Sequence, residues 1–169
     1  MALRRTRTYS RCSIPSRRLS ELIKFNSSTH GPLIHGRAIE KVERHVNEAV
    51  ARGAQVLVGG RKLEGNFFAP TVLADVPTDA PFAYEETFGP VAALIRFETE
   101  EDVIRLANAS EYGLAGYFFS RDVGRIWRVA EALEVGMVGT NTGMISQAVI
   151  PFGGVKESGL GEPSILVRI

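Results

Sequence analysis

Val91-Ala92-Ala93-Leu94-Ile95-Arg96-Phe97 runs through Glu98 into Thr99-Glu100-Glu101-Asp102, and the junction separates two kinds of secondary structure. The first seven residues are a near-continuous apolar run, which reads as a strand buried on both faces. Thr99-Glu100-Glu101-Asp102 resembles a capping box: the hydroxyl meets the first exposed amides, and a carboxylate three residues on reaches back. The helix that follows turns Val103, Leu106 and Ala107 inward. A strand handing over to a capped helix is the building unit of an α/β domain.

The alternation continues in both directions. Upstream, Ile39, Val42, Val46 and Val50 recur at three- and four-residue steps and mark one helix face, with Lys41, Glu43, Arg44 and Glu48 toward solvent. Gly53 is a C-terminal stop for that helix. Gln55-Val56-Leu57-Val58 reads as a short strand closed by Gly59-Gly60. Residues 67–76 read as a second extended stretch, with Pro70 and Pro77 arguing against helix. Downstream, residues 116–120 and 136–140 read as strands. Between them Asp122 caps a helix with Ile126, Val129 and Leu133 inward and Ala130 beside them. The pattern predicts an α/β fold of layered helices on a mostly parallel sheet.

The 169 residues, 44% hydrophobic and 23% charged, suffice for one domain with a real core and are too few for two comfortable ones. No apolar run approaches the roughly 20 residues of a membrane span, so no membrane partner is expected. Cys12 is the only cysteine, which excludes an internal disulfide framework and a multi-cysteine zinc cluster. His30, His35 and His45 are scattered and show no metal-ligand spacing. A net charge of +1 gives no pull toward nucleic acid, but it hides an asymmetry. Residues 1–30 carry a net +6 and the remainder a net −5.

Segment 1–30 is Arg-rich, Ser-rich and nearly free of acid, the composition of an organellar transit peptide. It lacks the apolar core of a secretory signal. Three readings compete: a mitochondrial presequence, a nucleic-acid-binding arm without aromatic interleaving, and a disordered extension or reading-frame scar without function. The location expected is cytoplasmic, or mitochondrial if this segment is a presequence.

Two segments carry candidate chemistry. In Pro81-Phe82-Ala83-Tyr84-Glu85-Glu86-Thr87-Phe88-Gly89-Pro90, adjacent carboxylates stand beside an aromatic and a Gly-Pro break. A carboxylate can accept both hydroxyls of a ribose, and an aromatic can pack on a flat heterocycle. The alternative is an acidic surface turn with a core phenylalanine. Asn141 to Gly161 holds five glycines, which let backbone approach a ligand or another chain closely. It contains no phosphate-cradling glycine fingerprint, and the alternative there is a long surface loop. Cys12 has no histidine or carboxylate close in sequence to activate it. His35 and His45 lie on or before a polar helix face and read as solvated.

Glu85-Glu86-Thr87-Phe88-Gly89-Pro90, then Asn108 to Leu114, then Pro151-Phe152-Gly153-Gly154-Val155-Lys156-Glu157-Ser158-Gly159-Leu160-Gly161 resemble, in this order, the NAD(P)-dependent aldehyde dehydrogenase superfamily. Gly31-Pro32-Leu33-Ile34 and Phe68-Ala69-Pro70-Thr71-Val72-Leu73 match it too. The stretch from Glu131 to Ser146 is most similar to succinate-semialdehyde dehydrogenases. The resemblance covers residues 31–161 and leaves 1–30 as an N-terminal extension and 162–169 as a divergent tail. It implies the C-terminal portion of the family's catalytic domain.

By position, the resemblance assigns Glu86 to the nicotinamide ribose and Phe88 to the nicotinamide. It assigns Ser146 to the distal carboxylate of the substrate and Phe152 to the substrate tunnel. NAD or NADP is the implied cofactor, and a small aldehyde, succinate semialdehyde, the implied substrate, oxidised to succinate. The family's catalytic cysteine, its general-base glutamate, its oxyanion-holding asparagine and its cofactor domain have no counterpart among the matched residues. Cys12 lacks the surrounding motif. No catalytic residue is therefore assigned, and the chain alone is expected to be inactive and not to bind the cofactor stably. The alternatives are a non-catalytic interaction protein that associates with aldehyde dehydrogenase subunits, and a truncated gene product.

Overall fold

A computed structural model describes residues 2–5, 30–146 and 151–159. The expected tail 162–169 and most of the expected extension 1–30 lie outside the described residues. The chain divides into two compact units, residues 1–98 and 99–169.

In the first unit, helix α1 (Gly36–Ala51) begins where the His35 ring accepts a bond from the Ala38 amide at 3.1 Å. Its inward face is Ile39, Val42, His45, Val46 and Ala49. Two expectations are corrected here. Val50 is exposed, because the buried stripe takes in His45 and Ala49 and is centred away from the side on which Val50 stands. His45, expected in solvent, is fully buried, because three residues after Val42 the helix faces the core again.

Against α1 lies a four-stranded sheet of β1 (Ala2–Arg5), β2 (Gln55–Val58), β3 (Thr71–Ala74) and β4 (Val91–Phe97), in the order β1-β4-β3-β2. β4 runs parallel to β1 and β3, with Leu94 opposite Ala2 and Leu73 opposite Ala93, while β2 is antiparallel to β3. Residues 2–5, read from composition as part of a disordered segment, thus form a strand beside β4. The core joins Ile39, Val42, Val46 and Ala49 to Phe68, Leu73, Val76, Ala80, Ala93 and Ile95. Each large aliphatic side chain buried there contributes about 1.5–3 kcal/mol. β4 is not buried on both faces: Ala93 and Ile95 are covered, whereas Ala92 and Arg96 are exposed, and Arg96 pairs with Asp75. An apolar run shows that a strand is wanted inside, not how many of its faces find cover.

The second unit begins at helix α2 (Glu100–Asn108), whose N-cap Thr99 accepts from the Asp102 amide at 3.1 Å. The Asp102 carboxylate does not reach back as expected; it faces Arg105 at 3.4 Å, one turn along. Val103, Leu106 and Ala107 are half-buried. Strand β5 (Tyr112–Gly113) and strand β6 (Ala115–Phe118) follow, then helix α3 (Val123–Ala132), β7 (Met137–Thr140) and β8 (Val155–Lys156). Asp122 caps α3 through the Arg125 amide at 2.8 Å, and Val129 and Ala130 are its buried residues. β6 and β7 pair in parallel, and β5 and β8 pair antiparallel. Glu100 ties α2 to α3 by accepting from Arg125 at 2.8 Å and Arg128 at 3.0 Å. These two guanidinium groups, Arg128 foremost, hold the Glu100 carboxyl below its ordinary range.

Candidate functional site

The acidic segment is anchored to α1. A short 3-10 turn, Pro81–Ala83, starts it, and Glu85 donates its amide to the Pro81 carbonyl at 2.7 Å. From there burial alternates: Glu85, Thr87 and Gly89 are half-buried, while Glu86 and Phe88 are exposed. Alternation by two is the mark of an extended chain, so Glu86 and Phe88 share its outward side.

Each inward residue has a partner on α1. Arg44 Nη2 donates to Glu85 Oε2 at 2.9 Å, and Lys41 stands 3.8 Å from the same oxygen. His45 Nε2 lies 3.0 Å from Glu85 Oε2, and His45 Nδ1 lies 2.7 Å from Thr87 Oγ1. Gly89 packs so closely on Val42 that a Cβ there would meet Cγ2 at 2.6 Å, which explains why no side chain stands at this position. Bonds from Arg44, then His45, hold the Glu85 carboxyl below its ordinary range. Burial, the largest influence, pushes the His45 imidazole below its usual value.

The two glutamates therefore separate. Glu85 is consumed by structure. The Glu86 carboxylate has no hydrogen-bond or ion-pair partner among the described residues. Phe88 is 76% exposed, so it is not the core phenylalanine of the alternative reading; Phe82 packs on the core instead. An open carboxylate and an open aromatic stand on one side of this extended segment; a carboxylate accepts hydrogen bonds from hydroxyls and an aromatic packs on flat rings.

The second pair of candidates belongs to the other unit. There two quoted motifs meet as one body. The Asn108 carboxamide donates to the Ala132 carbonyl at 2.8 Å and accepts from the Glu134 amide at 2.9 Å. Lys156 Nζ donates to the carbonyls of Asn108 and Ser110 at 2.8 and 3.1 Å, and pairs with Glu134 at 2.6 Å. An ammonium at the last carbonyls of α2 complements the helix dipole. Gly113 donates to Ser158 Oγ at 3.0 Å. A side chain at Gly136 would collide with the Gly153 carbonyl. This body carries Phe152, 62% exposed, and Ser146, exposed and without a hydroxyl partner among the described residues. Residues 147–150 between them lie outside the described residues.

Sequence reasoning missed the clamp formed by His45, Glu85 and Thr87. The available signal was the three-residue step from Val42 to His45. Among the described residues no group of three or more His, Cys, Asp or Glu could hold a metal ion, and no helix is long and apolar enough to cross a membrane.

The aldehyde dehydrogenase family model matches residues 21–167, wider at both ends than the motifs at 31–161. Glutarate-semialdehyde dehydrogenase of Pseudomonas putida is 60% identical over 134 residues, covering 79% of this chain and 28% of that protein. The mitochondrial succinate-semialdehyde dehydrogenase of Rattus norvegicus is 59% identical over 136 residues, covering 79% of this chain and 26% of that protein. The crystal structure of an Escherichia coli NADP-dependent enzyme superposes with a TM-score of 0.77 at 57% identity, covering 79% of this chain and 28% of that one. The chain thus spans between a quarter and a third of the length of the proteins it matches.

Proposed function

Because the chain belongs to the aldehyde dehydrogenase family, we propose that it corresponds to a catalytic-domain segment of an enzyme that oxidises succinate semialdehyde with NAD or NADP. The observation that carries this reading is the division between Glu85, held by α1, and Glu86, open beside an open Phe88. Glu86 accepts the two ribose hydroxyls, for which a carboxylate has the lone pairs. Phe88 offers an apolar surface to the nicotinamide. The dinucleotide, when bound, supplies the acceptor for the aldehyde hydride. Ser146 donates to the distal carboxylate of the substrate, which needs a donor once it leaves water, and Phe152 lines the apolar approach.

Glutarate semialdehyde is a second substrate reading, favoured by the identity with the Pseudomonas putida protein. One methylene separates the two, and a pocket discriminates it by only about 1–3 kcal/mol.

The 169-residue chain by itself is proposed to be inactive and to hold the dinucleotide only weakly, since Cys12 is its sole thiol and lies in the Arg-rich segment. Incubating the purified chain with succinate semialdehyde and NAD or NADP then yields no reduced cofactor. Turnover that disappears in Cys12→Ala overturns this. A non-catalytic role in binding aldehyde dehydrogenase subunits is favoured by one observation: Phe119, Val123 and Trp127 are 72%, 66% and 56% exposed. Light scattering that finds a monomer, which also fails to capture succinate-semialdehyde dehydrogenase, excludes that role. A cytoplasmic location is proposed; a tagged chain found in mitochondria, and released from them by deleting residues 1–30, overturns it.

A further inference from the structure

We propose that His45 is a positioning residue for Glu86, gripping the residues on both sides of it so that the Glu86 carboxylate is aimed outward. The inference deepens the reading of Glu86 as a ribose acceptor and rests on it.

The imidazole is fully buried on a helix face that is otherwise apolar. Such a group is costly unless both nitrogens are satisfied. In the tautomer that grips both neighbours, Nε2–H donates to Glu85 Oε2 at 3.0 Å and the Thr87 hydroxyl donates to Nδ1 at 2.7 Å, with Arg44 Nη2 standing 3.1 Å from the same Nε2. The neutral ring fills both roles. Phe82 stands edge-on at 5.4 Å and 81°, which fixes the ring plane.

The two partners are residues 85 and 87, and the residue between them is Glu86. Holding both neighbours leaves Glu86 little backbone freedom. Glu85 cannot exchange places with it, because Arg44 and His45 share the Glu85 oxygen. Gly89 on Val42 provides the next point of attachment, so Phe88 is bracketed in the same way. The clamp thus acts on the two outward residues as a pair while touching neither.

The test uses the 15N-labelled 169-residue chain with His45→Phe, which keeps a ring and removes both bonds, and His45→Gln, which retains an amide donor for Glu85. In His45→Phe the order parameters of residues 86–88 fall from the rigid value of about 0.85 to below about 0.6. The α1 amides stay protected, and His45→Gln restores part of the order. Loss of two hydrogen bonds also weakens the response of residues 86 and 88 to millimolar NAD by roughly tenfold. A purely structural role for His45 lowers stability and leaves both readouts unchanged. A folded His45→Phe chain with wild-type order at 86–88 overturns the proposal. If His45→Phe does not fold, Thr87→Val removes the Nδ1 partner alone, and wild-type order there overturns it equally. If NAD shifts no resonance of the wild-type chain, that agrees with the weak binding proposed for the chain alone, and the order parameters by themselves decide the role of His45.

Discussion

The carboxamide of Asn141 closes a two-bond ring with the backbone of Ser120, donating to its carbonyl at 2.8 Å and accepting from its amide at 2.9 Å. Asn141 follows directly on β7 and Ser120 lies just past β6, so a side chain continues the pairing of the two strands where the backbone turns away. The turn places Asn141 at φ 55°, in the left-handed region that asparagine tolerates better than most residues. One residue thus ends the sheet and starts the loop that carries Ser146.

Asn141→Ala loses both the ring and the tolerance of positive φ. The expected loss is about 2–3 kcal/mol. Asn141→Gly keeps the backbone conformation and loses only the bonds, so it falls between wild type and alanine. Urea unfolding followed through Trp127, the only tryptophan, reads both. Equal stability of the glycine and alanine variants would show that conformation contributes nothing.

Gly89→Ala places a methyl 2.6 Å from Val42 Cγ2. Overpacking of this kind costs about 1–3 kcal/mol. Adding Val42→Ala makes room and recovers part of the loss relative to Val42→Ala alone. Strictly additive effects in a double-mutant cycle would contradict the contact.

Thr99→Ala removes the oxygen that accepts from the Asp102 amide. About 1 kcal/mol is expected to be lost. Thr99→Ser retains the acceptor and keeps stability within error. Comparable losses in both variants would place the effect in the methyl group instead of the cap.

Acid destabilises the first unit in two steps of the same sign. Folding lowers the His45 pKa from 6.5, chiefly by burial, with Arg44 and Lys41 adding and Glu85 opposing. As pH falls through the unfolded value, the unfolded chain takes up a proton that the folded chain refuses. Unfolding free energy therefore declines below about pH 6.5 and has no such slope above it. Glu85, lowered from 4.5 by Arg44 and then His45, adds a second decline below about that value. His45→Gln removes the first step and leaves the second. Urea midpoints by circular dichroism between about pH 7.5 and about pH 5.5 decide it: parallel curves would sink the assignment.

Much of this molecule was readable from local features. Thr99 and Asp122 announced their helices because a cap is a bond to an amide three residues away, a local feature of the sequence. The steps from Ile39 to Val42 and Val46 placed α1 for the same reason. What was misread depended on distant partners. Val50 and Ala49 are both apolar, and only the packed sheet shows which one the stripe takes. β4 looks fully buried in one dimension, yet Arg96 meets Asp75 across the next strand's end. His45 was placed in solvent because its partners, Glu85 and Thr87, lie some forty residues downstream.

By itself the sequence determined the three helices and the strands β2, β3, β4, β6 and β7 in their order, the caps Thr99 and Asp122, the family resemblance, and the presence of Glu86, Phe88, Ser146 and Phe152 in motifs with the right order. Those are properties of neighbouring residues and of ordered motifs, which survive in one dimension. The tertiary structure alone decided which of two adjacent glutamates has no partner among the described residues. Glu85 and Glu86 carry the same chemistry, and their difference comes from a helix that covers one side of an extended chain and leaves the other open.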